Sequence, residues 1–256
     1  METILELNKF KHIKYHDEPH LYYVGDDKLT SATTFIGKFK PKFDTENISK
    51  KYAYKHGMNV EDVIAEWDYK RDFSTIKGSA VHDMAENWWN DKYFPYPAHK
   101  SIERFGEDVT KEAYYKCEDI FKKFYEDAKE NLVPIKMEMV VGDLDYGLAG
   151  MIDCLFYNKK FDEIQIWDYK TNKKIAKKDN FGNKFKTPIS HLDVCEWNTY
   201  SLQLSLYKHI LEKNTNLKVG SSYLIWINEV NDNYKIIKTK DLNEEIVEML
   251  KYDNRL

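Results

Sequence analysis

Two consecutive segments decide the fold. They are Gly147-Leu148-Ala149-Gly150-Met151-Ile152-Asp153-Cys154-Leu155-Phe156-Tyr157 and, after the turn Asn158-Lys159-Lys160, Glu163-Ile164-Gln165-Ile166-Trp167-Asp168-Tyr169, followed directly by Lys170. Each run is rich in apolar, β-branched and aromatic residues and is bounded by turn formers, so each predicts a strand. Side chains alternate along a strand, which puts Ile164, Ile166, Asp168 and Lys170 on one side. Asp168 and Lys170 then stand about 7 Å apart and face the same way. An acid and a lysine thus emerge from the end of an apolar strand, where charge without a partner is costly. A salt bridge at the strand end would satisfy them. The short turn also lets Asp153 lie beside Asp168, and Gly147 and Gly150 permit close approach of backbone or ligand.

Working outward, Ile135 to Val141 predicts a preceding strand, with Gly142-Asp143 as its turn. Residues 11–30 predict a hairpin, and Ser31-Ala32-Thr33-Thr34-Phe35-Ile36 a capped helix start that ends by Pro41. Apolar residues spaced three and four apart predict helices over Asn47–His56, Val60–Tyr69, Ile76–Trp89 and Val109–Lys129, with a loop at Pro95 and Pro97. Beyond Lys170 come a lysine-rich loop over 171–188 and a helix from Val194 to Leu211. A hairpin of Ser221–Ile227 and Tyr234–Thr239 and a last helix over 242–252 complete the chain. The order implies an α/β fold, a mixed sheet flanked by helices with a helical N-terminal region. We expect one domain over 1–256, with 1–130 supplying the hairpin and helices and 131–256 the sheet core.

The chain has 256 residues and a formal net charge of -4, so any site for polyanions must come from local rather than global charge. Cys117, Cys154 and Cys195 form no close pair, which argues against a disulfide framework, a cysteine zinc site or an iron–sulfur cluster and fits a reducing, cytoplasmic setting. The charged N-terminus does not read as a signal peptide, and no apolar run reaches membrane-spanning length. A GxxxxGK[ST] phosphate loop is absent.

Two carboxylates meeting on adjacent strands repel unless a proton or cation lies between them. Mg²⁺ or Mn²⁺ is the natural cation for an all-oxygen site. Such an ion neutralises a phosphodiester and acidifies bound water, while a nearby lysine orients that water or stabilises developing charge. Asp153, Asp168 and Lys170 supply the set that this chemistry requires.

These residues resemble the PD-(D/E)XK nuclease superfamily, whose signature is Asp-x-Lys on a strand preceded by an Asp on a neighbouring strand. Gly150-x-x-Asp153, Asp168-Tyr169-Lys170 and Gln203-x-x-x-Tyr207 look like its RecB-type exonuclease branch. Gly78-Ser79-Ala80-Val81-His82-Asp83-Met84-Ala85-Glu86 is similar to that branch's Gly-x-x-x-His-x-x-x-Glu helix, and Tyr15…His20-Leu21-Tyr22 with Ser31-Ala32-Thr33 to its entry segment. The resemblance implies a restriction-endonuclease-like core, hydrolysis of DNA, action on ends, and His82 as a metal ligand. Asp168 stands where Glu is commoner, and the iron–sulfur cysteines of some members are missing.

The remaining candidates keep two readings each. Glu86 shares a helix face with His82 and either orients it, binds a second ion, or forms an ordinary helix pair. Glu138 is an exposed edge residue or, by the resemblance, a further acid at the metal. Gln203 and Tyr207 either cap the core with polar tips or stand by the active site, touching DNA or steadying Lys170. Lys173, Lys174, Lys177 and Lys178 are a solvated charge run or phosphate contacts. Phe181 and Phe185 either stack on unpaired bases or pack the loop down. The resemblance further implies a role in replication, recombination or repair in a bacterial or phage setting, alone or with a separate partner protein. A structure-selective endonuclease and a non-catalytic nucleic-acid-binding protein are the alternatives.

Overall fold

The computed structural model describes residues 2–16, 20–92 and 103–256, with the Glu2 side chain left aside. Helix α1 (Glu2–Leu7) and a 3-10 turn (Asn8–Phe10) lead into three short strands, β1 (Lys14–His16), β2 (Leu21–Val24) and β3 (Asp27–Ser31). Helices α2 (Ala32–Lys38), α3 (Thr45–His56), α4 (Val60–Trp89) and α5 (Glu107–Ala128) follow. A meander of β4 (Leu132–Asp143), β5 (Leu148–Asn158) and β6 (Glu163–Lys170) comes next, then α6 (Glu196–Asn214), β7 (Val219–Trp226), β8 (Lys235–Lys238) and α7 (Asn243–Tyr252).

All eight strands belong to one mixed sheet with β5 at its centre. Along one edge β4 pairs with β5 from Leu148 to Asn158. The other edge is shared. There β3 runs parallel to β5 at Leu148 and Ala149, and β6 runs antiparallel to it from Cys154 to Asn158. Between them, Gly150 to Ile152 pair only with β4, and the register passes over Asp153 and Glu138. Past Trp167, β6 leaves β5 and continues alongside β7 as far as Lys170. The sheet therefore forks, and the chain ends that carry Asp153, Asp168 and Lys170 open into the fork.

Two apolar layers cover the sheet. Val81, Met84, Phe121 and Phe124 of α4 and α5 pack on Cys154, Phe156 and Trp167. On the opposite face Phe35, Leu202, Leu206 and Ile246 of α2, α6 and α7 pack on Ile152, Leu155, Ile166 and Leu224. Burying a side chain such as Phe156 completely stabilises the fold by about 1.5–3 kcal/mol. The expected alternation holds in β6, where Ile164 and Ile166 face one layer and Trp167 and Tyr169 the other. It reverses at the fork. Met137 and its partner Cys154 lie in the α4–α5 layer, while Met139 and its partner Ile152, two residues away, lie in the other. Glu138 and Asp153 sit at this reversal, and Glu138 has a left-handed backbone with φ 43.

The sheet flanked by helices is the architecture expected. Ser31 caps α2, its Oγ accepting the Thr34 N–H at 3.1 Å. Two boundaries differ. The helices expected over Val60–Tyr69 and Ile76–Trp89 are one continuous helix, α4. Nothing between them breaks a helix, and the single internal Gly78 costs only about 1 kcal/mol, which docking of Val81, Met84 and Trp89 outweighs. Gly142 and Asp143 extend β4 instead of turning. A Cβ on Gly142 would overlap the Ile13 side chain and the Leu148 carbonyl, so this glycine serves close packing. The turn falls at 144–147, closed by Asp143 Oδ1 accepting the Tyr146 N–H at 2.9 Å. The loop expected at Pro95 and Pro97 lies outside the described residues.

Candidate active site

The fork brings five polar side chains together. Lys170 Nζ forms an ion pair with Asp168 Oδ2 and lies 4.7 Å from the centre of the Tyr200 ring. Asp168 and Asp153 are buried, at 1% and 7% exposure. Asp153 Oδ2 accepts the backbone N–H of Tyr169 at 2.9 Å. From α4, His82 reaches across the end of β6. Its Nε2 lies 3.2 Å from the Tyr169 carbonyl oxygen. A carbonyl can only accept, so Nε2 carries a proton, and Nδ1 is bare in the neutral ring and a second N–H in the charged one. Nδ1 faces Asp153 Oδ2 at 3.3 Å and Glu138 Oε1 at 3.8 Å. One residue, Tyr169, thus orients both Asp153 and His82, the first through its backbone N–H and the second through its carbonyl, while its side chain points into the α4–α5 layer and accepts from Trp89 Nε1.

The electrostatics show crowded acids. Burial pushes Asp168 up to about 6, and the neighbouring Asp153 carboxylate adds to the rise against the pull of Lys170. Asp153 is likewise raised, first by burial and then by Glu138, although His82 and Lys170 oppose it. Burial alone would lower His82, but the Asp153 and Glu138 carboxylates override it and lift the imidazole to about 9. Burial would also lower Lys170, and Asp168 and Asp153 hold it above the usual lysine range. Without a cation, Asp153 and Asp168 hold their protons to higher pH than isolated carboxylates do.

This cluster forms the floor of a cleft of about 1310 Å³ between the N-terminal hairpin, α4 and the fork. Gln203 and Tyr207 of α6 line it, one helical turn apart, and Gln203 Nε2 donates to Tyr207 Oη at 2.9 Å. The Tyr207 ring lies flush on Gly150, where any Cβ would overlap it. Gly150 is therefore the residue that lets the Gln203–Tyr207 pair approach the acids.

Of the residues singled out from sequence, His82, Glu138, Asp153, Asp168, Lys170, Gln203 and Tyr207 all line this cleft. Glu86 does not. It lies one turn farther along α4, about 5–6 Å from His82 along the axis, outside both the ligand cluster and the cleft lining. Lys173, Lys174, Lys177 and Lys178 are exposed on the loop after β6 and do not line the cleft. The two loop phenylalanines separate, with Phe185 in the core and Phe181 89% exposed. Tyr22 was not singled out as a site residue. It stands in the cleft lining, where burial and the charges of Tyr15, Glu138 and Asp153 raise its hydroxyl above the ordinary value. Its place in an alternating strand gave no sign of this, because the hairpin reaches the acids only through the β3–β5 pairing.

The donor set suits a divalent ion. One nitrogen of His82 and one oxygen each of Glu138 and Asp153 lie within 4.8 Å of one another, close to the roughly 4.2 Å span across an octahedral ion with 2.1 Å bonds. Asp168 Oδ2 is buried, and its polar partner among the described residues is the Lys170 ammonium.

A search of curated proteins gives no match. Among solved structures, the fold is similar to an exonuclease candidate from Eubacterium rectale, with 15% identity, a TM-score of 0.45, and coverage of 71% of this chain and 65% of that one. The chain thus spans just under two thirds of that protein. It is also similar to the structure named SSO0001, with 13% identity, a TM-score of 0.33, and coverage of 99% of this chain and 84% of that one. A family model of the PD-(D/E)XK nuclease superfamily matches residues 49–254, which takes in α4, the meander, the fork and α6. The chain belongs to the PD-(D/E)XK nuclease superfamily.

Proposed function

We propose that this protein is a Mg²⁺- or Mn²⁺-dependent deoxyribonuclease of the RecB-type branch that degrades DNA from its ends. The observation that carries the reading is the aim of His82 Nδ1. The Tyr169 carbonyl fixes the imidazole so that its free nitrogen meets the Glu138 and Asp153 carboxylates. His82, Glu138 and Asp153, with Asp168 beside them, would hold the ion. When bound, a divalent ion neutralises the phosphate and makes an adjacent water more acidic.

The chain's own residues do the rest. Lys170, kept protonated by Asp168 and Asp153, donates hydrogen bonds to the phosphate oxygens as charge builds on them. Asp168 pins Lys170 in the fork and keeps its ammonium out of the apolar layer. Gln203 and Tyr207 hold the substrate strand against the cleft wall over Gly150. Lys173, Lys174, Lys177 and Lys178 contact phosphates farther along the strand without reading sequence. Function in replication, recombination or repair, with or without a separate partner protein, goes with this activity, as does a cytoplasmic site of action. No helix among the described residues is long and apolar enough to cross a membrane.

The test is a time course with end-labelled linear DNA and covalently closed circular DNA, in Mg²⁺, Mn²⁺ or EDTA. Metal-dependent release of short products from linear DNA, with the intact circle untouched, is expected. Cutting of the circle would make the enzyme an endonuclease. Absence of any metal-dependent product would leave a binding protein on this fold.

A further inference from the structure

Aromatic rings and lysines from three separate parts of the chain meet on the surface beside Lys170. Tyr200, under the Lys170 ammonium, donates its hydroxyl to Asn172 Oδ1 at 2.8 Å. Trp226, at the end of β7, donates its indole N–H to the Asn172 carbonyl at 2.6 Å. Lys235 of β8, the register partner of Trp226, places Nζ 4.9 Å from the centre of that ring. One turn before Tyr200 on the same face of α6 stands Trp197. Lys177 and Lys240 lie 4.9 and 4.8 Å from its ring. Its backbone N–H donates to the Ala176 carbonyl, and its indole N–H donates to the Lys238 carbonyl at 3.1 Å. The strip is therefore fixed to the loop after β6, to α6 and to β8 together.

Its lysines are not neutralised by a carboxylate, as some others on the surface are. Lys50, Lys122 and Lys251 each pair with a carboxylate on their own helix. Among the described residues, no carboxylate oxygen lies within 4.0 Å of Lys177, Lys235 or Lys240. Lys240 makes only an amide contact, to Asn198 Oδ1 at 3.3 Å. On a protein of net charge -4, unneutralised ammonium groups spread over partly exposed indoles form a local counter-field to a polyanion. The indoles add what phosphates alone do not need, which is π-surface. A duplex hides its base faces in the stack, whereas an unpaired strand offers them.

We propose that Trp197, Tyr200, Trp226, Lys177, Lys235 and Lys240 form a track that binds single-stranded DNA leading to or from Lys170. This extends the nuclease reading by naming the substrate class, and rests on that reading only for the direction of the strand. The lysines take the phosphates, and the indoles take the bases.

The test is fluorescence anisotropy in EDTA with a labelled twenty-nucleotide oligothymidine and a blunt duplex of the same length, over a salt series. In the wild type the single strand binds at least about fivefold more tightly than the duplex. The surface double variant K235Q/K240Q lowers the slope of log affinity against log salt by about 1.4, as expected for two released counterions on a single strand, and weakens binding about tenfold at low salt. K50Q/K251Q, on α3 and α7, leaves both unchanged. W197A/W226A, checked for folding by circular dichroism, brings the single-strand preference towards one. Equal affinity for duplex and single strand, or an unchanged slope in K235Q/K240Q, overturns the track. Metal-dependent cleavage is read separately, so a wild type that binds as described but cuts nothing sinks the nuclease reading alone.

Discussion

The two halves of the β5–β6 pair are made of the same kind of strand and are put to opposite uses. From Cys154 to Asn158, β6 stays on β5, and Phe156, Trp167 and Leu155 are buried between helices. Even the polar members are satisfied there, since Gln165 Oε1 accepts from both Asn158 and Trp167. From Gly150 to Asp153 the β6 partner is gone, and the strands present three carboxylates and a lysine to a cleft that the His82 imidazole enters from α4. The closed half lowers the free energy of folding. The open half raises it, through desolvated acids that repel one another, and it does so where a phosphate and a cation can enter. A PD-(D/E)XK site on this chain is a place where the sheet stops pairing.

The comparison breaks most visibly under substitution. In the open half the double variant Asp168→Asn/Lys170→Met, which removes both members of the buried ion pair, should reduce cleavage about 10⁴-fold, or ~5 kcal/mol in barrier, with a melting temperature equal to or above that of the wild type. Steady-state kinetics and thermal unfolding on the same samples check both parts. Phe156→Ala in the closed half should cost about 3–5 kcal/mol of stability, read by urea unfolding, while the folded fraction keeps the wild-type kcat. Loss of stability in the first pair, or loss of kcat without instability in the second, would erase the distinction.

Gly150 sharpens the boundary between the halves. Gly150→Ala should push Tyr207 off the floor of the cleft, costing about 1–3 kcal/mol by overpacking and a larger share of activity than of stability. Gly150→Ala combined with Tyr207→Phe should regain little, because the clash involves ring carbons as well as the hydroxyl.

The smallest effect is on pH dependence. Folding raises Asp168 to about 6 and His82 to about 9, so the native protein holds more protons than the unfolded chain between the ordinary carboxylate range and about pH 9. Stability from His82 is complete below its ordinary value near 6.5 and is lost as pH rises through 9. Stability associated with protonated Asp168 is lost as pH rises from about 4 to 6. In EDTA the melting temperature should therefore fall as pH rises, and Mn²⁺ should reverse the trend above neutral pH by replacing the protons. A pH-independent melting temperature in EDTA would show that the acids are not crowded as described.

Much of the open half could be read in the sequence because its residues lie on regular elements. Alternation put Asp168 and Lys170 on one side, a short turn set Asp153 beside them, and the helical repeat placed Gln203 one turn from Tyr207. What could not be read depends on irregular backbone or on contacts far apart in the chain. The sequence leaves Glu138 open between an edge residue and, by the resemblance, a further acid, because its turn toward the cleft goes with a positive φ inside a strand, which no residue type announces when the residue is not glycine. Tyr169 orients His82 and Asp153 through its carbonyl and its N–H, backbone groups that nearly every residue possesses. Tyr22 and the Trp197–Trp226 strip come from segments that meet only after the sheet has formed. Glu86 shares a helix face with His82, yet one turn of α4 carries it past the cleft, since a common face does not mean a common depth.

The central claim is that Glu138, Asp153 and His82 converge on the floor of the cleft to grip a cation. Titration of Mn²⁺ into the wild type and into Asp153→Asn at pH 7.5, followed by electron paramagnetic resonance of the free ion, tests it without reference to any substrate. The account predicts saturable binding by the wild type and its loss, by at least about tenfold in affinity, in the variant. Equal Mn²⁺ binding by the two proteins, or none by either, would contradict it.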